Sequence, residues 1–333
     1  LTVLILNAAD VRLALPMPQA IAAMKQAFAA YSSGQAVVPP RTHLAIPQHS
    51  GISLIMPAFV TGADASHEAL AVKVVSVFDK NSDRGLARIQ AAVLVVDPAT
   101  GQPLALLEGA TLTAIRTAAA SGAATDFLAR RDSRTLAILG AGVQARTHLE
   151  AAIAVRPISE IRIYSRRPSA VEALIGEFAN LSSRGVRFVA AASARDAIDG
   201  ADIICATTTS STPIIADADL SEGTHINAVG SYTPQAREIP AETVVRARVF
   251  VDSRQAAWDE AGDLIQPLNA GLITRDHILA ELGEIVLGLK EGRTGERQIT
   301  FFKSVGLAVQ DAVAARFALD AARQLGLGQQ VTW

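Results

Sequence analysis

A strand that closes on glycine constrains this chain more than any other feature. In Thr135-Leu-Ala-Ile-Leu-Gly-Ala-Gly-Val-Gln-Ala145 an apolar run ends at Gly140, and an Ala-rich helix opens near Val143. Gly140 and Gly142 permit a tight turn and a close approach of backbone to ligand. Ala145 stands at the third small position of G-x-G-x-x-G/A, where a short side chain lets the helix pack on the strand. The N–H groups of Val143 and Gln144 have no partner inside the helix, so they point at an anion, most simply a dinucleotide pyrophosphate. A glycine turn without a ligand reads the same way in isolation. The strand before it and the helix after it supply the context that favours the dinucleotide.

Composition narrows the class. A length of 333 residues suggests about two domains. Half the residues are hydrophobic and few are aromatic, as in α/β proteins with buried parallel strands. The net charge of −2 and the lack of a basic tract argue against a nucleic-acid partner. Cys205 is the only cysteine. It forms no internal disulfide and fits a reducing compartment, read here as the cytoplasm. No apolar run reaches the roughly 18 residues of a membrane span. The stretch Leu1-Thr-Val-Leu-Ile-Leu has no basic n-region, so a signal peptide is not expected. The six histidines show no metal-ligand spacing, and no metal is expected.

Strands and helices alternate after the glycine loop. Candidate strands at 135–140, 160–166, 187–192, 202–208, 225–230 and 248–252 make six, the complement of a doubly wound dinucleotide-binding (Rossmann) domain. Helical patterns fall at 169–181 and 194–198. This domain is placed at 118–302. The first 117 residues read differently: an amphipathic helix over 16–31, then strands at 52–57, 70–78, 89–97 and 104–108 with a turn at 97–103. That pattern predicts an α+β domain with an antiparallel sheet. A final apolar helix over 306–325 returns to it, so the domain is discontinuous, 1–117 with 303–333. No internal repeat is present.

The second Rossmann strand bears on the cofactor. An acidic residue at its end holds the ribose 2′-OH in NAD-specific domains. Here Ser165 stands near that position, and Arg166 and Arg167 follow. A hydroxyl and guanidinium groups suit a 2′-phosphate, so NADP(H) is preferred, with NAD(H) as the second cofactor the pattern admits.

Three cations sit where a core would not want them. Lys73 lies in a strand pattern on one face with Ala71, Val75 and Val77. Arg116 has Leu112, Thr113, Ala119 and Ala120 as its helical neighbours, none of them acidic. Arg41 follows Pro39-Pro40. Two readings stand: the cations converge on an anionic substrate, most simply a carboxylate, or each pairs with a distant Asp or Glu. Asp311 on the last helix is a candidate helix cap or a candidate partner for one of the cations. His148, on the helix after the glycine loop, reads as packing or surface rather than catalysis. Asp259, Glu260 and Asp263 form an acidic cluster that reads as a solvated face, with acid–base work as the alternative.

Taken together, Pro40-Arg41, the Lys73 strand, Leu112-Thr-Ala-Ile-Arg-Thr117, Gly140-Ala-Gly-Val-Gln-Ala145, Val229-Gly-Ser-Tyr-Thr-Pro234 and Lys303-Ser-Val-Gly306 resemble the ornithine cyclodeaminase/μ-crystallin family, in family order across nearly the whole chain. The resemblance implies a Rossmann domain beside a discontinuous domain for substrate and dimer contacts, hence a homodimer. It implies that Arg41, Lys73 and Arg116 hold a substrate carboxylate, with Tyr232 and Val305 beside the substrate. Thr117, Val143, Gln144, Ser165, Arg166, Thr207, Val229, Gly230 and Ser304 match positions that line the cofactor; Gly140 and Gly142 of the glycine loop, Arg167 at the strand end and Arg116 complete the expected cofactor contacts. Arg88 falls where some relatives carry a small hydroxyl.

One departure selects the reaction. Cyclodeaminases carry an Asp two residues after the glycine at Gly230 and a Lys four residues beyond it; here those positions are Tyr232 and Ala236. Without that carboxylate the acid–base group for deamination is missing. The pattern resembles the members that reduce cyclic ketimines, giving L-proline from Δ1-pyrroline-2-carboxylate or L-pipecolate from Δ1-piperideine-2-carboxylate. The imine proton then comes from Lys73 or from water. The rivals are reduction of an acyclic imine (alanine or N-alkyl amino-acid dehydrogenases), ornithine cyclodeamination, and NADP(H)-dependent binding with little turnover.

Overall fold

The computed structural model describes residues 2–62 and 68–332. The chain forms two compact units, Thr117–Val305 and a discontinuous one of Leu1–Arg116 with Gly306–Trp333. The divisions fall after Arg116 and Val305, so Lys303, Ser304 and Val305 stay with the central unit.

The central unit is built on an eight-stranded parallel sheet. Its order is Arg187–Ala190, Glu160–Tyr164, Thr135–Leu139, Ile203–Ala206, His225–Ala228, Thr300–Lys303, Arg248–Val251 and Ile278–Glu281. The first five follow the doubly wound order, in which the strand bearing the glycine loop lies at the reversal of direction. Six strands were expected and eight are present. Thr300–Lys303 inserts beside His225–Ala228, and Ile278–Glu281 forms the far edge. Both faces of the sheet are covered. Leu136, Ile138, Ile161, Ile163, Ile203 and Cys205 pack on one side, and Ala137, Leu139, Ile204, Ala206, Ile226 and Phe301 on the other. That two-sided burial explains why these strands read as continuous apolar runs. The expected 169–181 helix is two pieces, Pro168–Glu177 and Ala179–Ser182, broken at Phe178. Helix Ala194–Ile198 is capped by the Ser193 hydroxyl.

The discontinuous unit has its own eight-stranded sheet. Its order is Gln329–Thr332, Thr2–Leu6, Pro103–Glu108, Ile89–Val96, Ala69–Phe78, Gly51–Val60 and Ala36–Val37, with Thr42–Ile46 also paired to Gly51–Val60. The expected antiparallel pairing holds except between Thr2–Leu6 and Pro103–Glu108, which run parallel. Helix Ala308–Leu325 packs on Gly51–Val60, on Ala69–Phe78 and on helix Met17–Ser32. It ends at Gly326, whose left-handed conformation turns the chain back toward its last strand. The alternation of Ala69–Phe78 buries Ala69, Ala71, Lys73 and Val75. A lysine therefore points into the layer under this helix.

Among the described residues no helix is long and apolar enough to cross a membrane, and no cluster of three or more His, Cys, Asp or Glu side chains is placed to hold a metal.

Candidate active site

Within the discontinuous unit the three cations gather around the start of helix Ala308–Leu325. Lys73 Nζ lies 2.5 Å from Oδ2 of Asp311. Arg116 Nε donates to the other oxygen, Oδ1, at 3.0 Å, and its Nη1 donates to Gln310 Oε1 at 2.9 Å. Arg41 Nη2 donates to the carbonyl of Gly306 at 2.5 Å. Gly306 has φ +82°, and a Cβ there would come within 2.7 Å of Arg116 Nη1, so only glycine lets the guanidinium lie against the backbone. The pairing reading holds for two of the three: Lys73 and Arg116 pair across the fold with a distant acid, and they share a single carboxylate. Burial lowers the Lys73 pKa to about 8; Asp311 opposes that shift, and the charges of Arg116 and Arg41 add to it. Burial pushes Asp311 upward, but Arg116 and Lys73 outweigh it and hold the carboxylate below its usual range.

In the central unit the glycine loop has the expected form. Gly140 has φ +111°, its N–H donates to the Tyr164 carbonyl at 2.8 Å, and a Cβ on it would meet the Thr207 carbonyl at 2.8 Å. Gly142 caps helix Val143–Val155 with no side chain over the helix start, and the space beside its Cα is open. Val143 is exposed although apolar. Gln144 Oε1 is buried with no hydrogen-bond partner among the described residues. Thr207 donates through both N–H and hydroxyl to the Leu139 carbonyl, each at 2.9 Å, fixing the neighbouring loop to the strand that leads into Gly140. Val229 N–H donates to the Ala206 carbonyl at 3.2 Å. Ser165 is half-buried and accepts from the Arg167 N–H, while Arg166 and Arg167 are exposed. Thr117 is half-buried on helix Gly109–Leu128. Tyr232 is exposed.

Several positions depart from expectation. Asp263 is not on a solvated face: it is fully buried and pairs with Lys303 at 2.9 Å. Asp259 is exposed as expected. Asp252, also buried, accepts from the Ser304 hydroxyl at 2.8 Å and the Val305 N–H at 2.9 Å, and so sets that loop. Glu238, a third buried carboxylate, accepts from the loops around Thr208 and Gly230. An acid beside a local apolar run gives no sequence signal of such roles, because each partner is distant in the chain. Arg88 pairs with Asp79. His148 is buried between the Ser121 hydroxyl and the Gln144 carbonyl, and burial lowers its pKa to about 4, so it stays neutral. Burial raises the Cys205 thiol to about 12.

Comparison with known proteins adds independent support. Residues 2–325 match the model of the ornithine cyclodeaminase/mu-crystallin family. The chain is 40% identical over 331 residues to a Delta(1)-pyrroline-2-carboxylate reductase of Bacillus cereus, covering 98% of this chain and 99% of that protein. Among solved structures it resembles the Thermococcus litoralis Delta(1)-pyrroline-2-carboxylate reductase in complex with NADH and L-proline, with TM-score 0.92, 42% identity and coverage of 98% and 100% of the two chains. It also resembles an archaeal alanine dehydrogenase dimer with bound NAD, with TM-score 0.91, 31% identity and full coverage of both chains. Matched over nearly its whole length and by relatives of the same length, the chain belongs to the ornithine cyclodeaminase/mu-crystallin family.

Proposed function

We propose that this protein reduces a cyclic ketimine carboxylate with NAD(P)H, converting Δ1-pyrroline-2-carboxylate to L-proline and Δ1-piperideine-2-carboxylate to L-pipecolate. The observation that carries this reading is the charge ratio at Asp311: one carboxylate faces two buried cations. An anionic substrate group is the partner such a cluster still accepts. Arg41, Lys73 and Arg116 hold the substrate carboxylate and so fix the position of the adjacent C2, which is catalysis by positioning. Lys73, with its pKa near 8, carries a proton at neutral pH and is poised to give it to the imine nitrogen. Tyr232 and Val305 lie beside the ring in this reading.

The open helix start and the tight glycine at 140 fit a dinucleotide. Gly140, Gly142, Val143 and Gln144 would hold its pyrophosphate; Arg116, Thr117, Thr207, Val229, Gly230 and Ser304 line the remainder. When bound, the nicotinamide supplies the hydride that C2 accepts. Ser165, Arg166 and Arg167 favour a 2′-phosphate and hence NADP(H). The solved neighbours hold NADH and NAD, so NAD(H) is the second cofactor this reading admits.

Tyr232 and Ala236, in place of the cyclodeaminase Asp and Lys, speak against ornithine as substrate. The likeness to an alanine dehydrogenase supports a second reading, reduction of an acyclic imino acid. The protein is proposed to act in the cytoplasm as a homodimer. Ile55 and Val74 form a cross-strand pair, as do Leu94 and Leu106. All four are exposed on one sheet face, an apolar surface that a second copy would cover. Isotope transfer tests the reaction: with both C4 hydrogens of the reduced cofactor replaced by deuterium, one deuterium should appear at C2 of the proline formed, and its absence would refute direct hydride delivery.

A further inference from the structure

The loops that follow Ile203–Ala206 and His225–Ala228 are neighbours because their strands pair in register, Ala206 beside Ala228. They lie at the carboxyl ends of the parallel strands, where doubly wound sheets bind ligands. One side chain from elsewhere in the sequence joins them. Glu238 is fully buried. Its Oε1 accepts from the Thr208 N–H at 2.8 Å and from the Thr208 hydroxyl at 2.7 Å. Its Oε2 accepts from the Gly230 N–H at 2.7 Å. Past the strand ends this carboxylate takes over the cross-linking that the sheet ladder provides within them.

Nothing in this arrangement is loose. A Cβ at Gly230 would come within 2.0 Å of the Thr208 carbonyl and 2.6 Å of Glu238 Oε2. The Glu238 N–H donates to Asp263 Oδ1 at 2.7 Å, and its carbonyl accepts from the Ile214 N–H at 3.0 Å. Asp263 in turn pairs with Lys303, whose Nζ donates to the Ser231 hydroxyl at 2.9 Å. Two N–H donors face opposite oxygens of one carboxylate. Only a group that accepts on both sides matches them.

We propose that Glu238 is a positioning residue for the dinucleotide, holding the loops of Thr207–Thr208 and Val229–Gly230 at the spacing that receives the cofactor. The proposal rests on the nicotinamide reading given above and deepens it. Glu238→Gln keeps the shape of the side chain but turns a donor toward one of the two N–H groups. In the cofactor-free protein, backbone amide exchange at Thr208 and Gly230 should accelerate in this variant. Its NADPH Kd, read from cofactor fluorescence, should rise by about tenfold or more. The KM for the imine at saturating cofactor should move less than about threefold. An unchanged Kd in the folded variant, or an equal loss in Kd and imine KM, would overturn the proposal. Thr208→Val removes the hydroxyl that donates to Glu238 and accepts from the Ser210 N–H, leaves both N–H donors to the carboxylate in place, and decides the matter should Glu238→Gln not fold. A Kd raised about two- to threefold supports the role, and wild-type affinity overturns it. If the wild-type protein binds NADPH but turns over no imine, the reductase reading fails alone, and the Kd and exchange comparisons still judge Glu238.

Discussion

Lys73 Nζ lies 2.5 Å from Oδ2 of Asp311, with both side chains closed off from solvent. Arg116 occupies the other oxygen of the same carboxylate. The consequence is a lysine whose charge is retained at neutral pH and lost within an accessible alkaline range, because burial lowers its pKa from 10.5 to about 8.

The KM for the imine carboxylate should therefore be flat below pH 8 and rise above it. The direction follows from the charge: deprotonation removes one of the cations proposed to hold the substrate. Steady-state kinetics between about pH 7 and pH 10 measure it. Lys73→Met should raise KM throughout and abolish the inflection. A wild-type KM that stays level across this range would remove Lys73 from the carboxylate site.

Asp311→Asn should destabilise the fold by about 3–5 kcal/mol, since it leaves two buried cations without their shared counter-charge. Urea unfolding of the variant gives the value. The Lys73 inflection should also move to lower pH, because Asp311 is what favours its charged form. A loss under about 1 kcal/mol, the range of an exposed pair, would contradict the burial argument.

Gly306→Ala should cost about 1–2 kcal/mol from its left-handed backbone alone. It should also weaken imine binding, because the new methyl would stand 2.7 Å from Arg116 Nη1 and push the guanidinium aside. An unchanged imine KM would mean that the position of Arg116 does not matter to the substrate.

Much of this arrangement is legible in the sequence where the signal is local. Strand alternation places Lys73 inward, and the glycine spacing places the helix start at Val143. The partner of Arg116 is not legible, because Asp311 stands 195 residues away and helical neighbours carry no trace of it. The burial of Asp263 is hidden for a similar reason. Asp259 and Glu260 beside it make the stretch look solvated, while its true partner, Lys303, comes from a different strand. Strands Thr300–Lys303 and Ile278–Glu281 are only four residues long. They are fixed by pairing in the sheet, and no periodicity of their own marks them.

Arg166→Asp should shift cofactor preference from NADPH toward NADH, since a carboxylate near Ser165 repels a 2′-phosphate and accepts from a 2′-hydroxyl. The ratio of kcat/KM for the two cofactors reads this directly. An unchanged ratio would assign the discrimination elsewhere.

The most direct test of the central claim follows NADPH absorbance with Δ1-pyrroline-2-carboxylate, Δ1-piperideine-2-carboxylate, and pyruvate with ammonia or methylamine, alongside ammonia release from L-ornithine with NAD. NADPH should be oxidised fast with the cyclic imines and little with pyruvate and an amine, and ornithine should release no ammonia. Turnover with pyruvate and an amine alone, or ammonia from ornithine, would contradict that claim.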